Sequence, residues 1–307
     1  MAAAWAGWLS RRLWRALLVV ACVVCAAVLL TASSPLDPTS RSTYRVLQLN
    51  LCDSGIARCY TGGAVAEAAM VIRAEAPDVV TLNEICTDDL VPLARALADA
   101  HQNETVVSAF RAALDRRTGD DFRCRNGQSY GIGVLVHIPK PDRRYTTQGG
   151  VYRAQDAGDP EERVWLCVQV PAAFDACTTH LADKSQTVAL AQCQYLMNEA
   201  IPALRREDGY RPVVLGGDLN LHNGGAQDVR SCVPGGYLRR DDGDVQHILA
   251  TADYSIDTTT LLDMAGTTDH PGLLVSLVPL HAGWPPTRQD HATLWGPVPA
   301  QTENIYK

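Results

Sequence analysis

The chain has 307 residues, of which 47% are hydrophobic and 20% are charged, and its formal net charge is −7. These proportions are typical of a packed globular protein and exclude a wholly disordered chain. Residues 1–36 contain three arginines and no acidic residue, so the rest of the chain carries 24 basic and 34 acidic residues, a net charge of −10. Such an acidic surface argues against binding a polyanion through a broad basic face, although a bridging cation would still permit it.

Residues 1–35 contain a hydrophobic segment, residues 16–32, that follows three arginines. Its length lies between that of a signal peptide and that of a short transmembrane helix. Because a basic flank stays on the cytoplasmic side, we expect everything after Pro35 to be exported. The sequence therefore predicts a signal peptide or membrane anchor over 1–35 and a linker over 36–42. The following domain is expected to be secreted or held at the cell membrane through residues 16–32.

Eight cysteines lie outside the N-terminal segment, and an even number in an exported protein indicates disulfides. We predict two local pairs and two long-range pairs: Cys52–Cys59, Cys167–Cys177, Cys86–Cys124 and Cys193–Cys232. Eight cysteines allow 105 pairings, so the sequence alone leaves other sets open. A zinc site built from these cysteines is disfavoured, because no CxxC pair occurs after the N-terminal segment.

From residue 43 onward, hydrophobic periodicity predicts alternating strands and helices. Strands are predicted over 43–51, 78–83, 130–137, 163–170, 172–179, 211–215, 241–250 and 273–278, and helices over 64–76, 90–100 and 184–206. Residues 143–159 are predicted to be a polar excursion, and residues 281–307 a Pro-rich tail without regular structure. This order is typical of a mixed α/β domain over 43–280, with two stacked sheets and helices outside them.

In five short segments, polar side chains stand at the ends of apolar strands. They are Asn50, Glu84, His180, Asp218 with Asn220, and Asp269 with His270. Taken singly, each is equally well explained as a capping group, a turn residue or a structural histidine. Strand ends at one rim of a sheet can meet in space, however, and the set then holds a hard divalent cation through oxygen. The imidazoles remain for proton transfer.

The five segments resemble the motifs of the deoxyribonuclease I-like superfamily, the endonuclease/exonuclease/phosphatase class. The motifs are LNL with Asn50, NE with Glu84, THL with His180, GDLN with Asp218 and Asn220, and DH with Asp269 and His270, in the family's order. The resemblance covers residues 43–280. It implies an α/β fold of the deoxyribonuclease I-like type, a four-layer α/β/β/α sandwich in which two packed mixed β-sheets are flanked by helices.

The resemblance also implies hydrolysis of a phosphate ester with Mg²⁺, or with another divalent cation such as Mn²⁺ or Ca²⁺. Glu84 is then the principal metal ligand, with Asn50 beside it and Asp269 joining them. A metal ion neutralises the charge that develops on the phosphate oxygens during phosphoryl transfer.

The remaining family positions imply roles in proton transfer and orientation. Asp218 and Asn220 orient the attacking water and the phosphate oxygens. His180, as an imidazolium, donates to the phosphoryl or leaving oxygen, and His270 acts as the general base. An ordinary histidine pKa of about 6.5 suits one acid and one base near neutral pH.

Two further positions are candidates for substrate binding. Tyr130 precedes a strand at a point where relatives place a substrate-contacting aromatic residue or arginine. Gln246 stands where the family carries an aspartate that orients the catalytic histidine. Glutamine accepts a hydrogen bond but cannot stabilise an imidazolium with a full charge. His270 therefore has a weaker orienting group here, or Asp244 takes that role.

We expect a metal-dependent phosphodiesterase, with a nuclease acting on nucleic acid as the preferred form. A sphingomyelinase or phospholipase C-like enzyme and an inositol-phosphate phosphatase are alternatives that share every catalytic residue. A lipid enzyme should carry an exposed apolar hairpin near the site, and none is evident in the core sequence. A non-catalytic binding module on the same fold is the remaining alternative, supported by Gln246. We expect a monomer without a protein partner.

Overall fold

The computed structural model describes residues 43–139, 144–171 and 173–280. The predicted N-terminal segment and the predicted tail over 281–307 lie outside the described residues. The strands are β1 Tyr44–Asn50, β2 Val79–Cys86, β3 Thr105–Ala112, β4 Leu114–Asp115, β5 Tyr130–Ile138, β6 Thr146–Val151, β7 Glu161–Glu162, β8 Val164–Val170, β9 Phe174–His180, β10 Val213–Asp218, β11 Tyr237–Asp241, β12 Gln246–Thr251, β13 Tyr254–Leu262 and β14 Gly272–Pro279. The helices are α1 Ala64–Glu75, α2 Leu90–Ala100, α3 Gln186–Tyr195 and α4 Ile201–Asp208.

The described strands form two six-stranded sheets and one two-stranded ribbon. The first sheet has the order β13–β14–β1–β2–β5–β3, the second has the order β11–β12–β10–β9–β8–β6, and β4 pairs with β7. β1 is parallel to β2, and β9 is parallel to β10. Their other neighbours in each sheet are antiparallel. Both sheets are therefore mixed, as the resemblance implies.

Alternating side chains along the strands create three apolar layers. Val46 of β1 packs between the two sheets, whereas its neighbour Leu47 packs against α1 and α2. Consecutive residues of a strand point to opposite faces, so one strand supplies both layers. A third layer, which includes Leu215 of β10, lies between the second sheet and the segment of α3 and α4. The result is the expected four-layer sandwich.

The predicted helix over 184–206 is broken near its middle. Ser185 caps α3 by accepting a hydrogen bond from the backbone N–H of Val188. A single π-helical turn, Leu196–Ala200, then separates α3 from α4. Pro202 lies in the first turn of α4. Because proline lacks an N–H and clashes with the preceding turn, the regular α-helical ladder cannot run through it, and the wider turn absorbs the change.

The two sheets approach each other closely at Gly216 of β10. A β-carbon at this position would lie 2.1 Å from Oγ1 of Thr81 on β2, so only glycine fits. Nearby, the buried side chain of Asn83 links the sheets: its Oδ1 accepts from the backbone N–H of Asp218 at 2.7 Å, and its Nδ2 donates to the carbonyl of Thr179 at 3.0 Å. β2 is thus held in register with β9 and β10.

All four predicted disulfides are confirmed: Cys52–Cys59, Cys86–Cys124, Cys167–Cys177 and Cys193–Cys232. The two short pairs close a loop after β1 and cross-link the neighbouring strands β8 and β9. The two long pairs join segments 38 and 39 residues apart. Disulfides that close long loops restrict the unfolded chain most and so stabilise the fold.

The sequence-based elements are largely confirmed in place, and the misses concern edge strands. The segment 143–159 was expected to be irregular but contains β6, and β3, β11 and β13 were not predicted. β6 and β13 have polar or exposed residues along most of their length. Strands at the margin of a sheet lack the apolar run that identifies a central strand.

Among the residues described, no helix combines the length and apolar character needed to cross a membrane.

Candidate active site

The topology explains why the predicted site residues converge. β1 and β2 are parallel, so Asn50 and Glu84 lie at the same edge of the first sheet. β9 and β10 are parallel in the second sheet, and His180 lies directly opposite Asp218. Antiparallel neighbours begin at the edge where these strands end, which brings Tyr130 at the start of β5 to the same edge. Stacking the two sheets joins the two edges around one cavity.

Glu84 is aimed at this cavity by an irregularity in β2. The pairing of β2 with β5 shifts register between Leu82 and Ile85, and Glu84 within this bulge has a φ of 55°. A β-bulge redirects a side chain from its regular alternation, and a left-handed conformation is unfavourable for a residue other than glycine. The fold therefore tolerates local strain in order to present this carboxylate, which is common at functional sites.

Asn50 bridges the carboxylates of Glu84 and Asp218. Its Nδ2 donates to Oε1 of Glu84 at 2.9 Å and to Oδ2 of Asp218 at 3.1 Å. Its Oδ1 accepts from the backbone N–H of Cys52 at 3.1 Å, so in this structure the amide nitrogen, not the oxygen, faces the carboxylates. Burial, and for Glu84 also the negative charge of Asp218, raises the pKa of both carboxyl groups. The cavity thus holds two acids in an unfavourable environment for negative charge.

His180 is held from behind by Arg163, which directly precedes β8. Nη1 of Arg163 lies 2.9 Å from Nδ1 of His180, and because a guanidinium only donates, Nδ1 must accept. The ring proton is therefore on Nε2, which lies 3.9 Å from Oε1 of Glu84. Burial and the charge of Arg163 lower the pKa of His180 well below its ordinary value. His180 is a neutral donor, which corrects the expectation of an imidazolium at this position.

Arg163 is itself surrounded by carboxylates. Its Nη2 lies 3.1 Å from Oδ2 of Asp159 and 3.2 Å from Oδ1 of Asp183, and its Nη1 lies 3.4 Å from Oε1 of Glu161. These charges keep the guanidinium protonated although only 5% of its side chain is exposed. Burial raises the pKa of Glu161 to about 7. The positive charge that was expected on His180 is thus carried by Arg163, which lies behind the His180 ring.

His270 precedes β14 and faces the carboxylates from the other side. Its Nε2 lies 3.5 Å from Oδ2 of Asp218 and 3.8 Å from Oδ1 of Asp269. The carboxylate nearest to the His270 ring is therefore that of Asp218. The sequence had suggested Gln246 or Asp244 as the orienting group. Asp244 lies 2.9 Å from Nδ1 of His222 on the surface, which corrects the alternative in which it orients His270.

Gln246 does not reach the cavity. Its side chain is fully buried, and its Nε2 donates to the carbonyl of Pro271 at 2.6 Å, the residue next to His270. Its Oε1 accepts from Nε2 of Gln48 at 3.3 Å. A direct substrate contact by Gln246 is therefore not supported; the glutamine fixes the backbone that carries His270.

The structure brings Tyr130 and Asn220 to the cavity wall. Burial raises the pKa of Tyr130 well above its usual range, so its hydroxyl stays protonated and able to donate. Asn220 has a φ of 49°; its backbone N–H donates to Oδ1 of Asp218, and its Nδ2 donates to the carbonyl of Leu181. Both residues line the cavity together with the other predicted site residues apart from Asn50 and Gln246.

The cavity has a volume of about 460 Å³ and a mixed lining. Carboxylates predominate among its charged residues, and Arg163 and Lys184 are its cationic side chains among the described residues. Its less polar lining consists of Ile56, Ala57, Phe122, Tyr130 and Pro160. The first two of these lie on the loop that the Cys52–Cys59 disulfide closes. The volume is in the range of small-molecule sites.

The residues present fit a hard divalent cation. Asp218 is a buried carboxylate and Glu84 a partly buried one, and no lysine or arginine of the described ranges lies within ion-pair distance of either. Buried carboxylates of this kind require a compensating charge, and oxygen donors are the ligands that Mg²⁺, Mn²⁺ and Ca²⁺ prefer. Asp269 is 56% exposed at the cavity mouth and is free to approach.

Sequence reasoning missed Arg163 and its three acidic partners. The sequence predicts Arg163 as the first residue of a strand and Asp159 as the end of an irregular segment. The signal that identifies them is topological: a residue before an antiparallel strand lies at the same edge as a residue after its neighbour. That rule requires the pairing of β8 with β9, which the sequence does not specify.

The model of the endonuclease/exonuclease/phosphatase family matches residues 61–298, so the chain belongs to this family. It is a hydrolase of the class that acts on phosphate ester bonds. Enzymes of this family generally use divalent metal ions. No curated protein is detectably similar in sequence.

Solved structures share the fold at low identity. An endonuclease/exonuclease/phosphatase from Beutenbergia cavernae is 21% identical, with a TM-score of 0.54 over 78% of this chain and 72% of that chain. The human Nocturnin catalytic domain is 15% identical, with a TM-score of 0.56 over 78% and 95%. A mannosyl-6-phosphatase from Bacteroides thetaiotaomicron is 13% identical, with a TM-score of 0.53 over 76% and 99%. These likenesses concern the fold.

Proposed function

We propose that the protein is an exported, Mg²⁺-dependent phosphodiesterase that cleaves a terminal nucleotide or another short phosphodiester. The observation that carries this proposal is the pair of carboxylates, the partly buried Glu84 and the buried Asp218, facing a cavity that also contains a neutral His180 and a second histidine, His270. Glu84 with Asp269 would hold the ion, which would supply charge neutralisation at the phosphate. Asn50, whose Nδ2 donates to Oε1 of Glu84, would orient that carboxylate.

The side chains of the cavity would supply proton transfer and orientation of the phosphate. Nε2–H of His180 donates to a phosphate oxygen, since Arg163 keeps its proton on that nitrogen. His270, beside Asp218, accepts the proton of the attacking water. Asn220 and Tyr130 line the cavity and would orient the phosphate. Preorganised donors of this kind commonly contribute about 10²–10³-fold each to the rate.

The charge of the cavity favours a short substrate over a long nucleic-acid strand. Proteins that track a nucleic-acid backbone do so with a row of basic side chains. The cavity wall offers Arg163, which is already paired with carboxylates, and Lys184. The aromatic lining residues Phe122 and Tyr130 suit one base or a comparable apolar group. This supports action at strand ends within the predicted nuclease class.

A lipid phosphodiesterase is the second candidate, because of Ile56. This side chain is 57% exposed and lines the cavity on the disulfide-closed loop, and Tyr60, directly after that loop, is 41% exposed. Exposed apolar side chains beside a site are a means of contacting an acyl chain. The sequence showed no such feature, whereas the fold places one at the cavity.

Export is supported by two independent features. The hydrophobic segment over 16–32 follows a basic flank. Four disulfides link the eight cysteines that follow it. Structural disulfides form and persist in oxidising compartments, so the domain is proposed to be secreted or tethered outside the membrane.

The full chain should be assayed with Mg²⁺ against end-labelled single-stranded DNA and RNA, closed circular DNA, sphingomyelin and inositol phosphates. We expect release of terminal nucleotides and no nicking of circular DNA. Glu84→Ala and His270→Ala should each lower the rate at least about 10²-fold without loss of folding. Asp257→Asn, which removes an exposed carboxylate on β13, is the matched control and should have wild-type activity.

Turnover of sphingomyelin alone would replace the first candidate by the second. Absence of turnover for every substrate, or full activity in Glu84→Ala, would overturn both and favour the non-catalytic module.

A further inference from the structure

A second cluster of metal-ligating side chains lies at the opposite end of the first sheet. Asp78 directly precedes β2, His137 is near the end of β5, and His101 directly follows α2. One ligand atom from each of the three lies within 4.8 Å of the others. Asp78 and Glu84 are separated by six residues of an extended strand, so the cluster is about 20 Å from the active-site carboxylate.

Both imidazoles are oriented by an acceptor on their Nε2 side. Nε2 of His137 donates to Oε2 of Glu104 at 2.7 Å, and Nε2 of His101 donates to the carbonyl of Pro77 at 2.9 Å. A carboxylate and a carbonyl can only accept, so the proton of each neutral ring is on Nε2 and the lone pair is on Nδ1. Metal-bound histidines almost always show this arrangement, in which the second nitrogen is held by a carboxylate or backbone carbonyl.

The lone pair of His137 has no partner. Its side chain is only 7% exposed, and its Nδ1 is buried without a hydrogen bond, facing Oδ1 of Asp78 at 3.7 Å. The other oxygen of Asp78 is fixed by the backbone N–H of Arg45 at 2.8 Å. A buried polar atom that lacks a partner is unfavourable, and one aimed at a carboxylate oxygen is well placed to share a cation with it.

We propose that Asp78, His101 and His137 form a binding site for Zn²⁺, separate from the catalytic cavity. Two imidazoles and one carboxylate suit zinc and neighbouring transition metals, whereas Mg²⁺ and Ca²⁺ prefer oxygen. The bound ion would tie the end of α2 to the sheet. The other two clusters of potential ligands among the described residues each include a cysteine that is in a disulfide, and so cannot bind in this way.

Binding requires one ring to turn. The rings of His101 and His137 are stacked, with centroids 3.6 Å apart and planes at 14°. A lone pair lies in the plane of its ring, so one ion cannot lie in both planes while the rings are parallel. The second side-chain torsion of histidine has a broad minimum, and His101 is only partly buried, so its ring can tilt towards the ion.

The test is a Co²⁺ titration of the chelator-treated full-length protein, followed by visible absorption, with Zn²⁺ competition. Co²⁺ bound by imidazole nitrogen absorbs visible light, whereas Mg²⁺ bound in the cavity does not. We expect one equivalent of Co²⁺ to bind with a visible band and to be displaced by Zn²⁺. Glu104→Gln should weaken binding about 10-fold or more, in line with the loss of a group that orients a metal-bound histidine.

His101→Gln should abolish the band, and circular dichroism of the ion-free variant should match that of the wild type, because position 101 lies beyond the helix end. His222→Gln removes a half-exposed histidine elsewhere and is the matched control. The band should persist in this control and in Glu84→Ala, which separates this site from the catalytic one. No stoichiometric band, a band that survives His101→Gln, or a band lost in Glu84→Ala would each refute the proposal.

Discussion

The two ends of the second sheet bury charge in opposite ways. At the end away from the cavity, Asp175 on β9 accepts from Nε of Arg211 at 2.7 Å, and the side chains are 1% and 4% exposed. At the cavity end of the neighbouring strand, Asp218 is equally buried but has no guanidinium partner: it is approached by the amide of Asn50, the backbone N–H of Asn220 and the ring of His270. Opposite charges stabilise the first end, whereas the second end retains unbalanced negative charge.

The two ends of this pair of strands therefore have different roles: one stabilises the fold, and the other belongs to the candidate active site. A buried carboxylate with a guanidinium partner has little reason to change its protonation or to accept a ligand. A buried carboxylate without one attracts a cation and a proton. Substitutions at the two ends should therefore affect different measurements.

The largest effect is expected from Asp175→Ala. Removing one partner of a buried ion pair usually destabilises a protein by about 3–5 kcal/mol. The free energy of unfolding, measured with urea, should fall by this amount, and the rate of the remaining folded protein should stay near that of the wild type. Asp99→Ala breaks a half-exposed pair with Arg73 and should change stability by no more than about 1 kcal/mol. Equal losses in the two variants would remove the contrast between the ends.

A smaller effect is expected from Arg163→Met at the cavity end. The variant loses the donor to Nδ1 of His180, so the ring is no longer held with its proton on Nε2, and the rate of the folded protein should fall about 10²-fold. It also leaves Asp159, Glu161 and Asp183 without their guanidinium, so the rate is measured on the folded fraction and a loss of stability is expected beside it. Imidazole ¹⁵N shifts should show a mixture of tautomers at His180. Arg239→Met is the matched control, because Arg239 lies 3.1 Å from Nδ1 of His247 outside the cavity. Its activity should be unchanged; a similar rate loss there would show that the effect is not specific to the cavity.

The smallest effect is expected in the pH dependence of stability, to which His247 and His137 contribute in opposite directions. Burial and the charge of Arg239 lower the pKa of His247. Burial also acts on His137, but Asp78 and Glu104 outweigh it and raise the pKa of that ring. The stability contributed by His247 is thus present above about pH 6.5 and lost as the pH falls towards its lower folded pKa. The stability contributed by His137 is present below about pH 6.5 and is lost as the pH rises through the folded pKa of that ring.

An NMR titration of the imidazole resonances with a chelator present measures both rings. His247 should remain neutral to lower pH than an exposed histidine, and His137 should remain charged to higher pH. Titration of the two rings at the same pH would contradict this assignment.

The sequence predicted the centre of the fold better than its margins. β1 and β10 carry apolar residues on both faces, and their short uninterrupted runs identify buried strands. β6 and β13 are rich in threonine and face solvent along one side, so their pairing depends on neighbours far away in the chain. The family motifs located the cavity residues, because those residues directly follow or precede central strands.

Other parts of the site follow from geometry that no local pattern encodes. The left-handed conformation of Glu84 depends on a bulge against β5, and the contact of Arg163 with His180 depends on the pairing of β8 with β9. The glutamine at position 246 indicated a weakened catalytic histidine. Its actual contact is with the carbonyl of Pro271, which side-chain chemistry alone does not reveal.

The absent side chain at position 216 has an evolutionary consequence. The metal-side residues belong to one sheet and the GDLN residues to the other, so the gap between the sheets sets how far apart the two half-sites lie. Any larger residue at position 216 must displace Thr81, whose Oγ1 and β-carbon would lie 2.1 Å and 3.0 Å from the added carbon, and it would also crowd Oε1 of Gln48 at 3.2 Å. Residues in such direct contact are not independent in their mutational effects. A larger residue at position 216 is therefore expected only in relatives that have also changed positions 81 and 48.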